Sequence, residues 1–574
     1  MSFHFHRRTS LLCATALGGL LAAQAAHAQS AATSDAQMQT IQQQIRSLQT
    51  ELNHMRSDLA ARDRAVKAAQ ENAVAAQKQA AAANATAQAI RMAPPPIVAQ
   101  PGTPQYGATQ PVVASAAPPS LPKLGQGQFQ VGGLTVTLGG FAAAEGIYRS
   151  RNLGSSIDTS FNSIPFANNP NNHTGEFRET AQQSRFSLLT EGQLDDVQKL
   201  TGYLETDFLS AGSSSNSNQS NSYTLRIRQF WGNYDNTDWG LHILGGQAWS
   251  LATMYRQGLI PRQENVPLTI DAQYVVGFNW ERQAQLRVVK DFDDHKLWAG
   301  LSVEEPQTIF GSSAGPNCLT GANASTAAGG GTLEDTECGG SNTNSVQAFS
   351  DNSAPDIIAK IAADPGWGHY ELYGLLRFFN GRTSFAATGT GSNTATTGEG
   401  IGGAMLLPVI PKKLEFQLSG LIGKGVGRYG SAQLADVTFN PTGKIEPLGE
   451  YSVMGGIVGH PIPQIDLYGY AGAEGVDRKA YSGTAGYGNP DVNLTGCLEE
   501  LGTCSAVTSS IVEGTVGGWW RPIKSPYGTV QLGLQYEYVN RTAFSGVGAT
   551  KGSVITPSAN ENMFLFSVRY YPFQ

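Results

Sequence analysis

The chain has 574 residues, of which 40% are hydrophobic and 14% charged, and its 45 acids outweigh 38 lysines and arginines to give a formal net charge of −7. That balance argues against a nucleic-acid partner held by phosphate neutralisation, and a mean hydropathy of −0.22 argues against a bundle of apolar membrane helices. Neither excludes a membrane barrel, whose strands are apolar on one face only.

Residues 1–28 read as a secretory signal peptide. His4, His6, Arg7 and Arg8 make a positive start, Leu11 to Ala26 an apolar stretch, and Ala26-His27-Ala28 an A-x-A cleavage pattern. Residues 29–92 read as a periplasmic coiled-coil stalk. Met38, Ile45, Leu52, Leu59 and Val66 share one heptad seam position, and Ile41, Leu48, Met55 and Ile90 the other. Beyond Leu59 the seam is mostly alanine and Arg62 weakens it, so that half is either a frayed or single helix or an alanine-rich spacer. A seam of this kind implies an oligomer without fixing two strands against three. Residues 93–128 form a Pro/Gln/Ala-rich linker, a semi-rigid tether of polyproline character.

Residues 129–574 predict an all-β transmembrane barrel of about sixteen antiparallel strands. In Leu200 to Phe208, Gly202, Leu204, Thr206 and Phe208 share one face, and Thr201, Tyr203, Glu205 and Asp207 the other. Period two with one uncharged face and one carboxylate-bearing face suits lipid outside and water inside. The expected strands are 134–148, 181–191, 200–209, 223–234, 239–249, 281–291, 296–305, 355–363, 369–380, 400–408, 413–426, 451–459, 465–474, 511–521, 529–539 and 562–571. Long and short connections alternate, as in outer-membrane barrels whose long loops face the outside. In the last strand Phe564, Phe566, Val568 and Tyr570 form an apolar face, although Phe573 is penultimate where many such barrels end on an aromatic residue. After leader cleavage four cysteines remain. Cys318 with Cys338 and Cys497 with Cys504 are the expected disulfides, each closing a local loop in an oxidising compartment.

Charges on water-facing positions set the permeation prediction. Arg226 and Arg228 alternate with Leu225 and Ile227, Arg377 alternates with Leu376 and Phe378, and Arg282 and Arg287 border the sixth strand. The third long connection, 250–280, carries Arg256, Arg262, Glu264 and Asp271, and in sixteen-stranded porins that loop commonly enters the lumen. These are the constriction candidates, opposite the lumen acids Glu191, Glu205, Asp207, Glu304, Glu371 and Glu537. Arginine rings favour anions, so a mild anion preference is expected, unless the arginines pair with those acids and stiffen the wall. No Ser/His/Asp spacing, metal-ligand cluster or phosphate loop stands out, so no enzyme, cofactor or metal is expected.

Several stretches resemble the DcaP-like family of trimeric outer-membrane porins: Gly423-Lys424-Gly425-Val426-Gly427-Arg428-Tyr429, Gly246-Gln247-Ala248-Trp249-Ser250, Arg282-Gln283-Ala284-Gln285-Leu286-Arg287, Trp520-Arg521-Pro522, and Gly533 to Arg541. The heptad stalk fits the same layout. The resemblance implies a homotrimeric sixteen-stranded porin with a periplasmic coiled coil, passing small anionic solutes such as dicarboxylates. Such a porin would sit among outer-membrane lipid and lipopolysaccharide, with a peptidoglycan contact open to its stalk. The Pro-rich linker and the long fourth and seventh outer loops depart from that pattern. The alternative reading is a trimeric envelope tether or adhesin whose barrel is only an anchor.

Overall fold

The computed structural model describes residues 125–574, apart from 213–214, 217, 312–325, 328–330, 335, 339–347, 386, 482–485, 551 and 574. The signal peptide, the stalk, nearly all of the linker and Cys318, with the 318–338 disulfide, therefore lie outside the described residues. The wall consists of sixteen strands: β1 Leu134–Arg149, β2 Arg185–Gln193, β3 Gln198–Asp207, β4 Arg226–Asn236, β5 Leu241–Trp249, β6 Arg282–Phe292, β7 Leu297–Glu304, β8 Asp356–Ala363, β9 His369–Phe385, β10 Thr390–Ile410, β11 Leu414–Lys424, β12 Gly449–Ile462, β13 Ile465–Val476, β14 Thr508–Ser525, β15 Gly528–Ala543 and β16 Ser558–Tyr571. Each pairs antiparallel with the next. The ring closes where β16 pairs with β1, from Ala142↔Tyr570 to Arg149↔Met563. Closure leaves no strand edge bare in hydrocarbon, and a ring of this size encloses a lumen.

The alternation read from the sequence is the alternation of the wall. In β16, Phe564, Phe566, Val568 and Tyr570 are exposed on the outside, whereas Met563, Leu565 and Ser567 are buried. In β3, Leu200 is exposed while Tyr203, Glu205 and Asp207 are buried on the inner side. Exposed aromatics ring both ends. Trp239, Phe292, Trp367, Tyr527 and Tyr570 lie near the short turns, and Tyr148, Phe177, Tyr451, Tyr538 and Phe564 near the long loops. Such girdles mark the two lipid–water interfaces.

One expected connection is strand. The stretch 381–399 was expected as a long loop, but β9 and β10 run 17 and 21 residues and pair from His369↔Leu406 to Phe385↔Thr390. Beyond the lipid a hairpin needs no apolar outer face, so its Thr, Ser, Asn and Gly carry no membrane signature.

The buried core lies inside the ring at the long-loop end. It joins Ile157, Phe161 and Ile164 from the loop after β1, Ile270, Val275 and Phe278 from the loop after β5, and Ala432 and Leu434 from the loop after β11. Cys497 and Cys504, between β13 and β14, form a disulfide. Asn168 of the first long loop clasps that cystine ring. Its N–H donates to the Cys497 carbonyl (3.1 Å), its carbonyl accepts from the Leu501 N–H (2.8 Å), and its Nδ2 donates to the Gly502 carbonyl (3.1 Å).

Candidate permeation site

Segment 250–281, the loop between β5 and β6, runs around the inside of the wall on side-chain anchors. Its backbone N–H groups donate outward at Leu251 to Glu304 of β7 (2.9 Å), Tyr255 to Glu371 of β9 (2.7 Å), Leu268 to Tyr470 Oη of β13 (3.1 Å) and Ile270 to Gln535 of β15 (2.5 Å). On the return, Val276 donates to Glu513 of β14 and Gly277 to Glu474 of β13, both at 2.7 Å. Amide-to-carboxylate bonds are charge-assisted, so inward acids at 304, 371, 474 and 513 are engaged by the loop. The return leg also touches the wall at two glycines. A Cβ on Gly277, whose φ is +89°, would sit 2.0 Å from the Val453 carbonyl, and one on Gly472 would sit 1.8 Å from the Val276 carbonyl. No side chain fits either place without moving the loop.

A basic strip occupies the other side of the lumen. Arg569 of β16, Arg185 of β2, Arg226 and Arg228 of β4, Arg282 of β6 and Arg262 of the loop converge there. Four of the six share three carboxylates: Arg569 with Glu145 (2.7 Å), Arg185 and Arg228 with Glu205 (3.5 and 2.7 Å), and Arg226 and Arg228 with Asp207 (2.8 and 2.9 Å). Arg262 and Arg282 have no ion-pair partner among the described residues. Arg262 lies 5.1 Å above the Tyr203 ring, and Arg282 lies 4.8 and 4.9 Å from the rings of Trp249 and Trp280, contacts that hold a cation without neutralising it.

Local backbone geometry aims these groups. The β3–β4 register steps from Glu205↔Gln229 to Thr206↔Ile227, which leaves Arg228 as the extra residue of a β-bulge. Bulges re-aim side chains; here Arg226 and Arg228 face inward while Leu225 and Ile227 are exposed on the outside. Water reaches the strip, since the Arg226 side chain is 35% exposed and that of Arg185 25%. An excess of cations between low-dielectric walls focuses a positive potential on the passage.

Among the residues singled out from the sequence, Arg226, Arg228, Arg262 and Arg282 come together here. Arg256 lies elsewhere, bonded twice to Glu415 (2.7 and 2.8 Å) near the short turn between β10 and β11. Arg287 is buried under the base of the loop and donates to Gln285 (3.0 Å), to Tyr255 Oη (2.5 Å) and to the Trp249 carbonyl. Arg377 is buried between Asp356 (3.1 Å) and Asp436 (2.6 Å), tying segment 425–448 to the wall. Alternation tells which face a residue takes but not whether a loop covers that face, and covering takes Arg287 and Arg377 away from the lumen water. Glu264 is half-buried within the loop. Asp271 is buried and accepts the N–H groups of Thr159 (3.2 Å) and Gln273 (2.7 Å), joining the first long loop to the third. Sequence reasoning missed Arg185, although it alternates with the exposed Phe186. It also missed Tyr274, which sits in an irregular segment with no period to read.

Burial pushes the Asp271 carboxyl up to about 6, against the pull of its hydrogen bond to Thr159 and of Arg149. A raised value in the packed state means that packing favours the protonated form. Its stabilising contribution is therefore complete below the ordinary carboxylate value of 3.8 and is lost as pH rises through about 6. The first and third loops are expected to hold together better at pH 5 than at pH 8, and Asp271→Asn to remove most of that difference. Current fluctuations of single channels at the two pH values, in both proteins, check this.

No protein-family model matches the chain, and no curated protein matches it. Among solved structures, the outer membrane channel DcaP of Acinetobacter baumannii is similar with a TM-score of 0.51 at 17% identity, over 77% of this chain and 100% of that one. This likeness shows a shared fold, the one that the sequence motifs suggested. Outer-membrane expressed OmpT of Vibrio cholerae (TM-score 0.40, 10% identity, 77% and 99% covered) and an anion-selective porin from Comamonas acidovorans (0.38, 10%, 76% and 99%) are less similar.

Proposed function

We propose that this barrel, built on the fold of an outer-membrane channel, is a porin. It forms a water-filled passage for passive diffusion of small hydrophilic solutes and prefers anions such as dicarboxylates. One observation carries the reading: four inward acids are bound to the third loop, while the strip opposite sets six arginines against three carboxylates, which only four of them touch. A solute carboxylate can move from one guanidinium to the next without dehydrating fully, since each offers N–H donors where water would otherwise bind. The short turns then face the periplasm. The chain enters the wall at that end, where Gln126 Nε2 donates to the Pro572 carbonyl (3.2 Å) and Gln128–Val131 pairs beside the foot of β1. A periplasmic stalk before residue 125 would be open to a peptidoglycan contact; its heptads imply an oligomer, and the family resemblance makes that a homotrimer.

Liposome swelling tests this reading. Succinate is expected to enter clearly faster than a neutral sugar alcohol of similar size, and a small diamine to enter slowest. Equal entry of dianion and dication would overturn the preference, and no entry of any solute would favour the tether.

A further inference from the structure

We infer that Tyr274 and Arg282 form an oxyanion-binding site in the passage, where the Tyr274 hydroxyl donates its proton to an oxygen of a carboxylate, sulfonate or phosphate. The inference rests on the anion-channel reading and adds to it the residue that distinguishes oxyanions from halides.

Three observations support it. Tyr274 is only 7% exposed, and its Oη accepts from Arg228 Nη2 (3.3 Å) and Arg282 Nη1 (3.4 Å). A phenol carries one proton, and among the described residues that proton has no acceptor. A buried donor left unpaired is costly, and the two guanidiniums turned toward its oxygen are donors themselves and cannot take the proton. Its natural partner is an anion. Against burial, which raises it, Arg228, Arg282 and Arg185 together hold the hydroxyl below its ordinary value of 10, which makes it a stronger donor.

The second observation is the backbone. Tyr274 has φ +72°, a left-handed conformation that is an outlier for so bulky a residue. Strain of this kind persists where surrounding structure over-determines a functional geometry. The ring is fixed by edge contacts to Trp280 (5.1 Å) and Phe278 (5.6 Å).

The third is the state of Arg282. Its guanidinium lies over Trp249 and Trp280 and has no carboxylate partner among the described residues, and of its five N–H donors one is used on Tyr274. Arg226 and Arg228 are already bonded to Asp207 and Glu205. A carboxylate can place one oxygen on the Tyr274 O–H and the other on the N–H groups of Arg282 that Tyr274 leaves unused. Chloride can accept from both donors only at a single centre, so a carboxylate, with one oxygen for each, gains more from the pair.

The test uses the full mature protein in planar bilayers and measures block of chloride current by added acetate. Tyr274→Phe keeps the ring and its packing, so the fold should survive, which the chloride conductance of the variant checks. Loss of a hydrogen bond to a charged acceptor is expected to raise the half-blocking acetate concentration about tenfold. The reversal potential in a KCl gradient should shift far less than the block, and Arg282→Lys, which keeps the charge but loses the fork, should also weaken block. Equal acetate block in wild type and Tyr274→Phe would overturn the inference, as would a change in KCl selectivity equal to the change in block. Absence of anion preference in the wild type would instead overturn the channel reading beneath it.

Discussion

Replacing Arg262 and Arg282 together with glutamate is expected to turn an anion-preferring channel into a cation-preferring one. The reason is their lack of partners. Arg185, Arg226, Arg228 and Arg569 each lie against Glu205, Asp207 or Glu145, so their fields are largely cancelled at a distance. Four arginines on three carboxylates leave one positive charge over, and Arg262 and Arg282, held on the rings of Tyr203, Trp249 and Trp280, add two more. Each exchange removes one cation and adds one anion in a confined, low-dielectric passage, where focusing changes local ion concentrations by about tenfold or more. The chloride-to-potassium permeability ratio should therefore fall on the order of tenfold and cross unity. Arg256→Gln is the control. Arg256 is bonded to Glu415 away from the strip, and its loss should leave the ratio nearly unchanged. A double variant that still prefers anions would place the selectivity elsewhere.

The largest stability effect is expected at Glu371. Its Oε1 accepts the Tyr255 N–H (2.7 Å) and bonds His369 Nε2 (2.9 Å), and its Oε2 accepts Lys360 Nζ (2.7 Å). The side chains of Lys360 and Glu371 are both 0% exposed. Glu371→Ala leaves a buried ammonium without its counter-charge, a change that costs roughly 3–5 kcal/mol. It also removes the second wall anchor of the loop, the one that holds the Tyr255 N–H. Lower thermal stability and larger, noisier conductance should appear together. Lys360→Met with Glu371→Leu separates the two effects, because an apolar pair in place of a buried ion pair is often neutral. Stability should largely return in that double variant, while conductance stays high because Tyr255 still lacks its acceptor. Recovery of both would mean that Glu371 acts on the wall alone.

The wall was legible because lipid imposes a simple rule on every strand, and Leu200 to Phe208 and Phe564 to Tyr570 obey it. Strand ends beyond the lipid were not legible, and β9 and β10 therefore run past their expected limits. Inside the barrel, alternation put Arg226 and Arg228 on the inner face of their strand. It carried no information on the bulge that makes Arg228 an extra residue, nor on the covering of Arg287 and Arg377. Glu304 and Glu371, read as lumen acids, face inward but are bound to loop N–H groups. That use of a carboxylate depends on a loop path with no periodic signal in the chain. Tyr274 shows the same limit: a left-handed backbone in a loop leaves no mark in one sequence.

The most direct measurement is the zero-current potential of the wild-type protein in a planar bilayer separating concentrated from dilute KCl. Wherever chloride passes more readily than potassium, the dilute side becomes negative, and that is the sign expected from the unpaired guanidiniums of Arg262 and Arg282. A potential of zero, or a positive dilute side, would mean that the arginine strip does not govern what crosses.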